Sequence, residues 1–335
     1  MSSVTVFVGL DYHKAVVQVC VLDAQGKILT NRKCGNDREQ IVAIVSRHGD
    51  RVFAAIEACT GAAHLADELI NRHGWSVDLA HPGYVARLKQ SPDKSDYSDA
   101  RLLADLERVG YLPKVWLAPE PIRELRRLVR YRHQRAADRR KIKLRISALL
   151  REHRLESPYG RWTVRWLHWL RHEVELPEET RWVIDQHLVQ FEANQQLLLA
   201  AERRLARRTL DDPVVQRLRE IAGIGLITAC TIRAEVGRFD RFRTGRQLAR
   251  FTGLSPRNAS SGQRQADAGM IKAGNPELRR ILIEAAHQLA RYEPRWHELK
   301  HRLRSEGKPA NVAIAAVANR FVRWLYHYMQ SQTAV

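Results

Sequence analysis

Short apolar runs separated by polar gaps of turn length occupy the first hundred positions of the chain. β-Branched and aliphatic residues are concentrated at 4–11, 15–23 and 27–34, a pattern that predicts three strands in an antiparallel meander. The pattern then alternates between strand and helix. Helices are predicted at 36–49, 62–73, 83–90 and 96–109, and strands at 51–58 and 76–81.

The order of these elements carries information about the fold. Three antiparallel strands followed by strands that alternate with helices is the element order of an RNase H-like sheet. The first helix is expected to begin at the N-cap Asn36 and to stop at Gly49. The first 115 residues are therefore expected to form an α/β domain.

Beyond residue 113, strand patterns nearly disappear and apolar residues recur at helical spacing. Residues 121–154 predict one long helix, and residues 178–208 predict a second with the spacing of a helical hairpin or coiled coil. Further helices are predicted at 276–292 and 309–329. The apolar face of the first long helix consists of Ile142, Ile146, Leu149 and Leu150.

Basic residues exceed acidic ones by a wide margin. The chain has 56 Lys and Arg against 37 Asp and Glu, a net charge of +19, and arginine dominates residues 123–154. Such a charge favours a polyanionic partner, because neutralising phosphates releases counterions. An anionic membrane surface is the alternative, but no strongly apolar amphipathic anchor accompanies the charge. The composition therefore predicts a nucleic-acid-binding protein.

Hydrophobic residues make up 44% of the chain and charged residues 28%, which is typical of a globular protein. Without a long apolar run or a signal-peptide pattern, the expected location is the cytoplasm, with no membrane partner. The four cysteines have no paired spacing and are interpreted as small buried hydrophobic residues: Cys20, Cys34, Cys59 and Cys230.

Acidic residues occur where two predicted strands end. Asp11 ends the first strand and Glu57 lies near the end of the fourth, two strands that neighbour each other in the proposed sheet. Asp96 and Asp99 are three positions apart at a helix start and share a face of that helix. Converging carboxylates repel one another unless a cation lies between them, and two Mg²⁺ ions would suit these oxygen ligands.

A structural interpretation of the acidic residues stays open. Aspartates at helix starts are often caps, which accounts for Asp93 or Asp96 taken alone. Asp11 and Glu57 are harder to explain this way, since each ends an apolar strand where a charge is costly without a partner.

A polar, glycine-punctuated stretch at residues 257–280 contains two adjacent serines, Ser260 and Ser261. It leads into a helix start with Asn275 as N-cap and Pro276 as the first residue. Loop serines usually have no chemical role, but basic side chains and a helix N-terminus could stabilise a phosphoryl group here. The basic residues of this predicted phosphate site are Arg264, Lys272, Arg279 and Arg280.

A second nucleic-acid contact is predicted at Gly223 and Gly225, between two helical patterns in residues 218–237. Helix-hairpin-helix motifs place exposed backbone N–H groups at such a turn, where they meet DNA phosphates. A tight turn between packed helices is the alternative interpretation.

Several motifs together resemble the IS110 family of insertion-sequence transposases. They occur in the family's order along essentially the whole chain: GLDYHK, IEACTG, DKSDYSDA, AGIGLITA, LARFTGLSPRNASSG and GMIKAGNPELRRILIEAA. The resemblance implies an RNase H/RuvC-like catalytic domain at 1–115, a basic helical coiled-coil insertion at 116–210 and a helical transposase domain at 211–335. It places the four metal-binding acids on Asp11, Glu57, Asp96 and Asp99, and the essential serine on Ser261.

The resemblance also implies how the protein acts. The family's recombinases work on donor and target DNA, guided by a structured non-coding bridge RNA. They assemble as homo-oligomers, dimers to tetramers, with active sites shared between protomers, and act at the nucleoid. The carboxylate–magnesium site and the serine act together, and the serine becomes covalently linked to cleaved DNA.

Three other functions remain alternatives from the sequence. The first is a metal-only nuclease resembling Holliday-junction resolvases, in which Ser261 only binds phosphate. The second is a sugar-kinase-like ATPase, because VGLDYHK resembles the first phosphate segment of that superfamily, although a second glycine-rich motif is missing. The third is a nucleic-acid-binding module without catalysis.

Overall fold

A computed structural model describes residues 4–89, 95–258, 267–271 and 274–331 of the chain. The chain divides into two units, Met1–Ala118 and Pro119–Val335. The first is a mixed α/β unit and the second is mainly helical. The described part of the chain contains thirteen helices.

The sheet of the N-terminal unit contains six strands in the order β3-β2-β1-β4-β5-β6. The first three pair antiparallel, as predicted, while β4 and β5 run parallel to β1, an arrangement consistent with an RNase H-like domain. A short sixth strand, antiparallel to β5, was not expected from the sequence. The strands are β1 (Thr5–Tyr12), β2 (Val16–Leu22), β3 (Ile28–Gly35), β4 (Arg51–Glu57), β5 (Ser76–Ala80) and β6 (Lys114–Val115).

Helices cover both faces of this sheet. On one face, Val8 and Leu10 of β1 belong to a buried cluster that includes residues of α1 and α2. On the other face, α4 lies directly on β1, because a Cβ atom at Gly9 would come within 1.9 Å of the Ala100 carbonyl oxygen. The helices are α1 (Arg38–Val45), α2 (Ala62–His73), α3 (Pro82–Leu88) and α4 (Asp96–Arg108).

The predicted boundaries of the first helix were wrong at both ends. Asp37, not Asn36, is the N-cap, and its carboxylate accepts from the Gln40 N–H at 3.0 Å. The Asn36 amide instead donates to the His13 carbonyl. The helix ends at Val45, and Gly49 serves a different purpose, since a Cβ there would lie 2.5 Å from the Val4 carbonyl oxygen.

Two long helices begin the second unit and run antiparallel to each other. Arg132 of α5 bonds Glu202 of α7 at 2.7 Å, and further along Arg139 bonds Gln195 at 2.8 Å. Near the far end, Ile146 packs with residues of α6 and α7 in one buried cluster, which confirms the predicted apolar seam. These helices are α5 (Glu120–Glu152), α6 (Val164–His172) and α7 (Glu178–Arg208).

The remainder of this unit packs around a large core that includes Phe321, Leu282 and Leu248. Two short strands, β7 and β8, interrupt the predicted helical pattern and pair as an antiparallel ribbon. No bounds were predicted for helices α6, α10 and α12, although the regions that contain them were expected to be helical. The elements are α8 (Pro213–Arg219), α9 (Leu226–Val236), α10 (Gly245–Phe251), β7 (Pro256–Asn258), β8 (Asp267–Met270), α11 (Pro276–Tyr292), α12 (Pro294–Ser305) and α13 (Ala310–Gln330).

The cysteines differ from one another in burial. Cys20 and Cys230 are buried, as the sequence suggested, but Cys34 is only half-buried and Cys59 is exposed. Cys59 follows the end of β4, where the chain leaves the sheet. Among the described residues, no helix combines the length and apolar character that crossing a membrane requires.

Candidate active site

The ends of two parallel strands place the first two predicted carboxylates at one edge of the sheet. In the β1–β4 pairing Leu10 lies opposite Ile56, so the next residues, Asp11 and Glu57, end neighbouring strands. Both side chains are half-buried. The expected adjacency of these two strand ends is confirmed.

The first turn of α4 brings two more carboxylates to the same edge. Ser95 caps the helix by accepting from the Ser98 N–H at 3.2 Å, which leaves Asp96 and Asp99 in the first turn. The close contact between α4 and β1 at Gly9 fixes the distance of this turn from the end of the strand. The helix cap and this packing contact together position the two carboxylates.

The electrostatic environment of Asp11 shows how close these groups are. Burial raises the pKa of the Asp11 carboxyl, and the charges of Asp99 and Asp96 raise it further, while His13 opposes them. Only 14% of the Asp11 side chain is exposed. Like charges that disfavour ionisation of a half-buried carboxylate make a site that gains from a bound cation.

His13 lies within this group of acids. Its Nε2 atom is 3.2 Å from Asp11 Oδ2 and 3.5 Å from Asp96 Oδ1. One potential ligand atom from each of the three residues lies within 4.8 Å of the other two. His13 occupies the turn between β1 and β2, where its backbone N–H bonds the Val16 carbonyl.

Two lysines hold the helix carboxylates. Lys33 of β3 donates to Asp96 Oδ2 at 2.7 Å, and Lys89, just after α3, lies 2.6 Å from Asp99 Oδ1. The bond from Lys33 lowers the pKa of the Asp96 carboxyl. The lysines therefore offset part of the mutual repulsion of the acids.

These three basic residues were missed from the sequence. His13 had a local signal, since it lies two positions after the strand-end Asp11 and such residues share a side of an extended chain. Lys33 and Lys89 had none, because their partners Asp96 and Asp99 are distant in the sequence or on another element.

The donor set fits a divalent cation. Asp11 and Asp96 offer hard carboxylate oxygens, and His13 adds an imidazole nitrogen suited to a transition-metal ion. Glu57 lies at the adjoining strand end, outside this closest group. Burial is the largest cause that raises the pKa of the Cys59 thiol, and the charges of Glu57 and Asp11 raise it further. Both carboxylates therefore lie near Cys59.

The predicted serine and two of its basic neighbours, Ser261, Arg264 and Lys272, lie outside the described residues, and so does Asp93 before α4. The strands on either side of Ser261 are described, and Pro256 pairs with Met270. The predicted cap of the following helix is confirmed, since Asn275 Oδ1 accepts from the N–H groups of Glu277 and Leu278.

The two predicted phosphate-site arginines that the structure describes, Arg279 and Arg280, lie in the first turns of α11. Arg280 bonds Glu277 and Glu284 and donates to His133 Nδ1 at 3.1 Å, so its guanidinium is part of an internal network. Arg279 begins the helical bonding by donating its N–H to the Asn275 carbonyl. Nucleic-acid contacts of both side chains remain a prediction.

The two hairpin glycines have different surroundings. Gly223 has a φ of +86°, which favours glycine, and a Cβ there would lie 3.1 Å from Gln288 Cβ, a tight contact with α11. Gly225 is the exposed N-cap of α9, and nothing lies within 4 Å of a Cβ placed on it. The geometry suits a turn between packed helices and leaves the predicted phosphate contact open.

Two family models match the chain. A transposase model for DEDD enzymes of the IS110 type matches residues 8–154, which include all four predicted metal-binding acids. A model described as the transposase IS116/IS110/IS902 family matches residues 215–301, which include the serine loop.

Individual relatives are also described as transposases. The putative transposase y4qE of Sinorhizobium fredii is 32% identical over 68% of this chain, which spans only 56% of that relative's length. The transposase for insertion sequence element IS1111A of Coxiella burnetii is 27% identical over 93% of this chain and 86% of its own. A probable family 20 transposase of Pseudomonas aeruginosa is 28% identical, with 97% of each chain covered.

Proposed function

We propose that this chain, which belongs to the IS116/IS110/IS902 family of transposases, cleaves and rejoins the DNA strands of an insertion sequence at the acidic edge of its N-terminal sheet. The observation that carries this proposal is the close group formed by Asp11, His13 and Asp96. This group lies at the carboxyl end of β1, and the helix that supplies Asp96 also supplies Asp99.

In this function the acidic edge holds divalent metal, with Mg²⁺ as the expected ion and two ions per site. The ligands would be Asp11, Glu57, Asp96 and Asp99, with His13 beside them. When bound, such ions supply charge stabilisation for the phosphoryl oxygens and lower the pKa of a bound hydroxyl. Lys33 and Lys89 pair with the helix carboxylates of Asp96 and Asp99 and offset part of their negative charge.

Ser261 is the proposed nucleophile for strand cleavage. Its Oγ forms a bond to phosphorus, the bond from phosphorus to a deoxyribose oxygen breaks, the serine proton leaves and the departing oxygen gains a proton. Attack by another DNA hydroxyl on the serine ester reverses these changes and rejoins the strands. Arg264 and Lys272 would stabilise the phosphoryl charge, as would the start of α11, which Asn275 caps.

The finer architecture follows the same proposal. The N-terminal unit is a RuvC-like domain, the α5–α7 hairpin is the coiled-coil insertion, and the remaining helices form the transposase domain. The partners are donor and target DNA, a structured bridge RNA, and further copies of the same chain. The net charge of +19 supports polyanionic partners of this kind.

The test measures cleavage and covalent attachment separately. The full chain is incubated with labelled element-end DNA and Mg²⁺, and protein–DNA adducts are resolved on a denaturing gel. Ser261→Ala should abolish the adduct, and Asp11→Asn should abolish cleavage. Asp105→Asn is the control, because Asp105 is on α4 and pairs with Arg108. An adduct that persists in Ser261→Ala, or cleavage that persists in Asp11→Asn, would contradict the respective role.

A metal-only nuclease is the second candidate, because the acidic group assembles from elements of the N-terminal unit alone. In that case Ser261 only binds phosphate. The same gel distinguishes the two functions, since a metal-only nuclease yields Mg²⁺-dependent cleavage without any adduct.

A further inference from the structure

A surface groove between α12 and α13 collects arginine side chains. Arg295 and Arg302 come from α12, and Arg320 and Arg323 come from α13, with Glu298 as the acidic residue in the lining. None of these arginines belongs to the sites predicted from the sequence. The groove lies entirely within the helical unit.

Helical spacing places these side chains on one face of each helix. Arg295 and Arg302 are seven positions apart, as are Arg320 and His327, so each helix presents one stripe to the groove. Seven residues of helix span about 10 Å. Phosphates of one DNA strand follow one another about every 3.4 Å along the helix axis, so each stripe has the length of about three phosphates.

The groove arginines are largely without acidic partners. Within the described part of the chain, no carboxylate forms an ion pair with Arg295, Arg320 or Arg323, and Arg302 is 3.8 Å from Glu306. Elsewhere in the same unit arginines are paired, as Arg130 is with Glu235 at 2.9 Å. Unpaired positive charges on one surface repel one another, so a polyanion would relieve an unfavourable field.

The aromatic residues of the groove form its base and offer little free ring surface. Trp296 is 5% exposed, and the Trp324 ring stacks on Tyr328 with centroids 4.9 Å apart. The Arg295 guanidinium lies 4.7 Å from the centre of the Trp296 ring, which holds it at the rim. Proteins that bind single strands use open aromatic rings to stack nucleobases. The covered rings at the bottom of this groove therefore favour contacts with the nucleic-acid backbone instead.

We propose that the α12–α13 groove binds the phosphate backbone of duplex DNA. This inference rests on the proposed function, in which the chain acts on DNA, and adds a surface distant in sequence from the predicted acids and serine. The arginines contact phosphates and position the duplex, and they supply a binding energy that salt weakens.

The experiment measures the salt dependence of binding with the full-length chain. Anisotropy of a labelled 30-base-pair duplex is titrated at several salt concentrations for wild type and for Arg320→Ala/Arg323→Ala. The double variant should bind at least tenfold more weakly, and the slope of log affinity against log salt should fall by about 1 for each arginine removed. Far-ultraviolet circular dichroism checks that the variant is folded.

The control variant is Arg127→Ala/Arg238→Ala, which removes the same charge from two exposed arginines that are paired with Glu120 and Asp240. It should bind as wild type does. Equal losses in both double variants would overturn the groove in favour of a general charge effect, and so would an unchanged Arg320→Ala/Arg323→Ala variant.

Parallel titrations with single-stranded DNA and duplex RNA of the same length test the choice of partner. A groove variant that loses affinity for duplex RNA or single strands but retains it for duplex DNA would overturn the assignment. Wild-type protein that binds no DNA at all would instead contradict the proposed function itself. The two failures are therefore distinguishable.

Discussion

The acidic edge of the sheet and the α12–α13 groove each concentrate charge of one sign, but they differ in whether oppositely charged side chains lie nearby. At the acidic edge, Lys33 and Lys89 reach two of the carboxylates, and burial together with like charge shifts the pKa of Asp11 upward. In the groove, Arg320 and Arg323 face solvent without a described carboxylate partner.

The difference follows from the ligands that each surface suits. A small cation needs several ligand atoms within a few ångströms, so the carboxylates must be gathered and their repulsion offset even when no ion is bound. A DNA backbone is itself a dispersed polyanion, and arginines spread over a wide face can stay solvated until it arrives. Closely spaced carboxylates therefore indicate a metal site, and dispersed arginines without acidic partners indicate a surface that positions DNA.

The largest effect should come from removing a gathered carboxylate. Asp96→Ala deletes a group that is close to both Asp11 and His13, and it should lower Mg²⁺-dependent DNA cleavage by about 10³-fold or more, since metal ions contribute several kcal/mol to such steps. Duplex DNA affinity should change little. Cleavage rates and anisotropy measured on one preparation check both outcomes. Comparable losses in cleavage and in DNA binding would mean that the acidic edge and the α12–α13 groove do not have separate roles.

The next effect concerns the contact that positions α4. Gly9→Ala places a methyl group against the Ala100 carbonyl, and should destabilise the N-terminal unit by about 3 kcal/mol through overpacking. Gly83→Ala is the control, because its nearest neighbour would lie 3.5 Å from the added Cβ. Urea unfolding measures both variants. Equal stability of Gly9→Ala and wild type would mean that α4 does not rest on β1 as described.

A smaller effect should show whether the His13 imidazole contributes to metal binding beside the proposed carboxylate ligands. Imidazole favours transition-metal ions over Mg²⁺, so His13→Ala should weaken Mn²⁺ binding about tenfold, or about 1.4 kcal/mol, and affect Mg²⁺ binding less. Calorimetric titration with each ion measures this. An equal loss for both ions would indicate that His13 acts on the acids by charge and not as a ligand.

The smallest effect concerns His133, the buried partner of Arg280, an arginine that is internally paired in contrast to those of the groove. Arg280 donates to His133, which is buried, and burial lowers the pKa of that imidazole below its usual 6.5. The unfolded chain therefore binds a proton first as the pH falls through about 6.5, and the folded state loses stability there. Unfolding free energies at pH 7.5 and 5.5 should differ less in His133→Gln than in wild type. An identical difference in both would exclude His133 as the cause.

Much of the secondary structure was predictable because its causes are local. The strand periods of residues 4–11 and 15–23, the long helix ending near 152 and the cap at Asn275 all depend on residues within a few positions. The exchange of Asn36 for Asp37 as N-cap shows the limit of such signals. Both are good caps, and the bond from Asn36 to the distant His13 carbonyl leaves the role to Asp37.

The candidate site was predictable in part for the same reason. Asp11 and Glu57 were adjacent in any sheet of the predicted order, and Asp96 and Asp99 shared a helix face from their spacing alone. The antiparallel ribbon of β7 and β8 was not predictable, since its strands contain only three and four residues. So short a strand has too few positions to show an alternating pattern.

The sequence by itself determined the periodic elements, the excess of positive charge and the family to which the chain belongs. Only the tertiary structure decided the partners of the charged side chains: Lys33 bonds Asp96 across 63 positions, Arg280 donates to His133 across 147, and the groove arginines have no described carboxylate partner except for Arg302 beside Glu306. The physical reason is range. Backbone preferences and side-chain periods act over one or two turns, whereas the partner of a charged side chain depends on how strands register and helices pack.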